Sequence, residues 1–143
     1  MILTQLSVFI ENKPGRLQHI LQVLADKAIN IQTLTIAEVN DFGILRLLVD
    51  KPEEAFTALR HEQITCSKTE VLAVVIEDEP GALHRLINSF SRHQINIEYV
   101  YAFMGHRDSK PIMIFRFEDL KAAADALKEE GYTILPRAEI QAE

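Results

Sequence analysis

Two short loops carry the residues best suited to hold a small polar ligand. Asn12, Pro14 and Gly15 follow a stretch in which Leu6, Val8 and Ile10 alternate, and they precede a run with apolar residues at i, i+3, i+4 and i+7. Asp78, Pro80 and Gly81 stand in the same relation to a second strand and helix. A strand that ends at a helix start leaves backbone N–H groups unpaired beside the positive end of the helix dipole, where a carboxylate is favoured. Gly15 and Gly81 lack a Cβ, so a ligand or a neighbouring backbone can approach closely. Asn30 and Asn96 lie at the other end of each helix by sequence, and their carboxamides can donate and accept together. The same residue types also fit a purely structural role: Asn12 and Asp78 as helix caps, Pro and Gly as ordinary helix-start residues, Asn30 and Asn96 as the turn after a helix. As ligand loops the two differ. Asn12 is neutral, whereas Asp78 lies between Glu77 and Glu79, so like charge opposes a carboxylate at the second loop and the first is expected to be the better site.

Other chemistry has no residues to carry it. Cys66 is the single cysteine, which leaves no internal disulfide and no Cys-Xaa-Xaa-Cys pair, and it reads as a small apolar residue near a strand. His19, His61, His84, His93 and His106 form no metal-ligand pattern. No catalytic residue, metal site or cofactor is assigned. A formal charge of −6 is shared between the halves, with 7 basic and 9 acidic residues in 1–70 and 8 and 12 in 71–143, which argues against a nucleic-acid groove. The amino terminus has no charged segment followed by a long apolar one, and no apolar run reaches membrane-spanning length. A cytoplasmic protein with no nucleic-acid or membrane partner is expected.

The loops belong to a repeat. Pro14-Gly15-Arg16-Leu17 is answered by Pro80-Gly81-Ala82-Leu83 at an offset of 66, and Leu17, Ile20, Leu21 and Leu24 by Leu83, Leu86, Ile87 and Phe90. The register holds through Ile29-Asn30-Ile31 and Ile95-Asn96-Ile97, so a duplicated domain is inferred, with units 1–70 and 71–143. Pattern and breakers predict strand, helix from Pro14 to about Ala28, strands 31–39 and 44–49 around Asn40-Asp41, helix 52–61 and strand 64–69. The second half is read as strand 71–76, helix 80–93, strands 95–104 and 112–118, helix 119–130 ended by Gly131, and strand 132–137. The order β-α-β-β-α-β, given twice, is the α+β ferredoxin-like arrangement of an antiparallel sheet with helices on one face. Arg46 and Arg116 match at an offset of 70, so the second hairpin is extended at 105–111, an extension available for partner contact. No Pro/Gly/Ser segment separates the closing strand of one unit from Val71, and a rigid junction is expected. Ile44, Leu48, Ile112 and Ile114 fall on the face opposite the helices, which suggests cover by another sheet and a homodimer.

Glu11-Asn12-Lys13-Pro14-Gly15-Arg16-Leu17 and Glu77-Asp78-Glu79-Pro80-Gly81-Ala82-Leu83, each followed by a helix and an Asn-Ile strand start, resemble the amino-acid-binding regulatory module known as the ACT domain. The resemblance covers nearly the whole chain as two tandem copies with no catalytic domain. It implies side-by-side pairing of units and amino-acid binding near the strand-to-helix loop, at Asn12, Gly15 and Asn30 in the first unit and Asp78, Gly81 and Asn96 in the second. Ile10 and Ile76 stand where serine-binding members can carry a histidine. A regulatory subunit of a biosynthetic enzyme, similar to the small subunit of acetolactate synthase, is a second reading, and it implies a regulated metabolic enzyme as partner. An acylphosphatase-type enzyme would need an arginine aimed at phosphate, and Arg16 occurs in one loop alone. An RNA-binding sheet would need Phe115 and Phe117 to face outward.

Overall fold

The computed structural model describes residues 1–141. In chain order the elements are β1 (Leu3–Glu11), α1 (Arg16–Asp26), β2 (Ile31–Val39), β3 (Phe42–Val49), α2 (Pro52–His61), β4 (Cys66–Val75), α3 (Ala82–Arg92), β5 (Ile97–Arg107), β6 (Lys110–Phe117) and α4 (Leu120–Glu129), with a 3-10 turn at Arg137–Glu139. The fold is α+β and repeats the ferredoxin-like unit. Internal contacts divide the chain into two compact units, Thr4–Thr69 with Ile140 and Gln141, and Glu70–Glu139 with Met1–Leu3.

In the unit built on Thr4–Thr69, β3 is central, antiparallel to β1 with Leu6 opposite Leu47 and to β2 with Ile36 opposite Leu45. The start of β4 flanks β1, where the Phe9 N–H donates to the Thr65 carbonyl at 3.0 Å. Alternation sends Leu6, Val8, Leu45, Leu47 and Val49 to one face, where they pack with Ile20 and Leu24 of α1 and Ala55 and Leu59 of α2. In the unit built on Glu70–Glu139, β6 pairs antiparallel with β4 and β5. Its core joins Leu72, Val74, Phe115 and Phe117 to Leu86 and Phe90 of α3 and Ala123 and Leu127 of α4. Phe90 meets Phe117 edge-on at 4.9 Å between ring centroids. Phe115 and Phe117 are therefore core aromatics and cannot be the outward stacking platform of an RNA-binding sheet.

Several boundaries move for identifiable reasons. The expected strands 64–69 and 71–76 are one strand, β4, because Cys66–Val75 contains no Pro or Gly to break it. Both helices after the loops begin beyond Pro14 and Pro80. Gly15 and Gly81 are the N-caps, with φ of 87° and 85°, and no side chain caps either helix, so Asn12 and Asp78 are not caps. The expected strand 132–137 is reduced to a bridge between Ile134 and Val74, since Pro136 offers no N–H to extend it. The longer second hairpin is absorbed by β5, eleven residues against nine in β2, and by the turn at Asp108-Ser109, both at positive φ. α4 follows the sequence closely: Asp119 accepts from the Ala122 N–H at 3.1 Å, and Gly131 follows the helix at φ 79°.

On the helix-free faces Leu48, Ile112 and Ile114 are buried and Ile44 is half-buried within the single chain, so their cover does not require a second copy. Cys66 is buried at the head of β4, and burial pushes its thiol up despite the nearby Arg60. Gln141 is 2% exposed. Its Oε1 accepts from the Thr4 N–H at 2.9 Å, and its Nε2 donates to the carbonyls of Thr4 at 2.7 Å and Val49 at 3.2 Å.

Candidate functional site

Each strand-to-helix loop has the same backbone geometry. In the first, the Arg16 N–H bonds the Lys13 carbonyl at 3.3 Å, and the N–H groups of Gly15, Leu17 and Gln18 find no acceptor among the described residues. In the second, the Ala82 N–H bonds the Glu79 carbonyl at 3.2 Å, and Gly81, Leu83 and His84 are left likewise. The positive φ of each glycine turns the chain into the helix without a side chain over these donors. Asn12, Pro14, Gly15, Asp78 and Gly81 are all exposed. The Asn12 carboxamide has no partner among the described residues, and its backbone N–H bonds the Asp41 carbonyl at 2.8 Å, tying the loop to the β2–β3 turn.

Electrostatics separate the two loops. Glu11 is paired with Lys13 at 3.2 Å and Arg16 at 3.7 Å. The Lys13 hydrogen bond, then the charges of Lys13 and Arg16, hold the Glu11 carboxyl below its ordinary value. The first loop thus carries one more cation than anions. At the second, Lys110 reaches Glu77 at 2.7 Å and Arg85 reaches Glu79 at 2.5 Å, which neutralises two of the three acids, and the Glu77 carboxylate raises the Lys110 ammonium. One acid remains in excess there, Asp78. Beside the first loop a groove of about 450 Å³ has apolar walls from Phe9, Ile10, Phe42 and Ile64, with Arg16 and His19 at its lip.

Asn30 and Asn96 are elsewhere. The Asn30 N–H donates to Asp50 Oδ1 at 2.9 Å and its carbonyl accepts from the Asp50 N–H at 3.0 Å. Asn96 repeats the contact with Glu118, through Nδ2 at 3.3 Å and its carbonyl at 3.2 Å. Both asparagines fasten the start of a strand to the chain entering the next helix. Within a unit, α1 separates Asn30 from Asn12 by about 16 Å, so the two are not brought together. The groove and the ammonium–carboxylate pairs have no motif in the sequence; the pairing of Lys110 with Glu77 spans 33 positions. Among the described residues no group of three or more His, Cys, Asp or Glu could hold a metal ion, and no helix is long and apolar enough to cross a membrane.

The repeated unit, its two glycine-capped loops and its tandem arrangement agree with comparisons against known proteins. The solved structure of protein BT0572 from Bacteroides thetaiotaomicron is 34% identical, with 98% of this chain and 96% of that one covered and a TM-score of 0.91. Regulatory subunits of aspartate kinase from Thermus thermophilus and Thermus flavus share the fold at 18% and 16% identity. Their TM-scores are 0.64 and 0.62, with 90% and 88% of this chain and 92% and 90% of theirs covered. No curated protein matches. The sequence model described as ACT domain pair matches residues 1–138, which is nearly the full length, and the chain belongs to that family.

Proposed function

We propose that this protein is a non-catalytic regulatory protein that binds a small free amino acid at the Asn12–Gly15 loop. The observation that carries the reading is the difference between two otherwise equal helix starts: both present unpaired N–H groups, and the first adds a neutral Asn12 and a net positive charge from Lys13 and Arg16. Its N–H groups and cations suit a carboxylate, and Asn12 can serve either end of an amino acid. The second loop, with Asp78 unneutralised, is the weaker site or a structural copy. Asn30 takes part only if a second copy of the chain brings it to the Asn12 loop, which would make the protein a ligand-linked homodimer. A single buried thiol fits a cytoplasmic setting.

A screen of the standard amino acids by thermal shift, followed by calorimetry on the responding ligand, tests this. Binding to the folded state alone must raise the melting temperature. Asn12→Ala should weaken that ligand by about 1–3 kcal/mol, and Asp78→Ala should leave it unchanged. Full affinity in Asn12→Ala would remove the site. The regulatory-subunit description of the Thermus relatives favours a second reading, action on a separate biosynthetic enzyme, which a binding partner recovered only in the presence of the amino acid would support.

A further inference from the structure

The two repeats treat one pair of helix ends differently. Lys27 and Glu62 are the C-caps of α1 and α2, and His93 and Glu130 are the C-caps of α3 and α4. In the second unit the Glu130 carboxylate is enclosed: it accepts from Ser89 Oγ and pairs with Arg92 at 2.7 Å and His93 at 3.4 Å. The residues 66 positions earlier are Val23, Asp26 and Lys27. A hydroxyl has become an apolar group and the arginine has become an acid. Glu62 keeps its place and has no ion-pair partner among the described residues.

Between α1 and α2 a groove of about 760 Å³ lies open, entirely within the Thr4–Thr69 unit. Asp26, Glu53, Glu54 and Glu62 line it, against Lys27 and His61. Glu53 is engaged by Lys68 at 2.9 Å and Asp26 accepts from Gln22 at 2.7 Å, while Glu54 has no side-chain partner among the described residues. Val23 and Ala58 form an apolar floor. The groove has a shape and a charge that call for a cation on an apolar stem.

We infer that the α1–α2 groove of the first repeat docks a segment of a partner protein bearing arginine side chains, one of which meets Glu62 as Arg92 meets Glu130 in the second repeat. Arginine fits because its apolar stem covers Val23 and Ala58 while its planar donors match a carboxylate. A free cation would use Glu62 and leave the length of the groove empty. No residue of the Asn12–Gly15 loop lines this groove, although Glu62 also borders the groove beside that loop, so this inference does not rest on the amino-acid reading.

The test is a titration of the full chain, labelled with nitrogen-15, with a synthetic arginine-bearing helical peptide, and with free L-arginine as the comparison. Peptide should shift the amides of Val23, Asp26, Thr57 and Glu62 while those of Ser89, Arg92 and Glu130 stay still, and binding should weaken as salt is added. Val23→Ser with Asp26→Arg transplants the enclosing residues of the second repeat, which should occupy Glu62 internally and weaken the peptide roughly tenfold or more without lowering the melting temperature. Glu62→Gln, at an exposed position, gives the same loss if the double variant folds poorly. Undiminished affinity in Glu62→Gln, equal shifts in both repeats, equal shifts with free L-arginine, or no shift at all would each overturn the inference.

Discussion

At the scale of single residues the glycines of the two loops matter most, and they behave alike. Both have φ near 85°. A Cβ on Gly15 meets nothing within 4 Å and one on Gly81 meets only the flexible end of Arg85, so the requirement is conformational. Gly15→Ala and Gly81→Ala should each cost about 1–2 kcal/mol, measured by urea unfolding. Valine at either position would be worse, since a β-branched residue at positive φ is a true outlier. A Gly15→Val and Gly81→Val pair would therefore damage both folds together and could not compare the two loops as ligand sites. Asn12→Ala against Asp78→Ala separates the sites without that penalty, because both side chains are exposed and neither caps a helix.

Among the elements, the network on α3 and α4 sets an acid limit on stability. Hydrogen bonds from Ser89 and Arg92 depress the Glu130 carboxyl below its ordinary value of 4.5. A depressed folded pKa means that the contribution is present above the ordinary value and is lost as pH falls through the folded one. Unfolding curves below pH 4.5 should thus show a fall in stability that Glu130→Gln flattens, and an unchanged slope in that variant would show that the network is idle. Much of this level is legible in the sequence. The offset of 66, the alternation of Leu45, Leu47 and Val49 and the stop at Gly131 lead to the observed units because each has a local cause. What escapes is non-local or depends on backbone freedom. The repeat puts the boundary at 70/71, but no local break marks it, since an unbroken run makes one strand. The weak closing strand around Ile134 turns on a proline that pattern alone undervalues. For the candidate site, the sequence picks out both loops and puts Asn30 at the far end of the helix from Asn12, where it is found; which carboxylate each asparagine meets there is non-local. The exchange of Ser89 and Arg92 for Val23 and Asp26 is visible once the repeats are aligned, but its meaning depends on Glu62 and Glu130, which come from another helix.

For the whole molecule, Met1–Leu3 and Gln141 are structural. Gln141 closes three hydrogen bonds onto the Thr4 and Val49 backbone while nearly inaccessible to water. Gln141→Ala should lower the stability of the Thr4–Thr69 unit by about 1–3 kcal/mol, because buried backbone groups lose their partner. Urea unfolding of the full chain measures it, and a loss within error would show that water replaces the amide. Met1–Leu3 group with Glu70–Glu139, and Gln141 groups with Thr4–Thr69. A gene split at the point where the repeat turns over would consequently yield two halves that each lack a piece carried by the other. Either half expressed alone should then unfold at lower urea concentration than the same unit within the full chain.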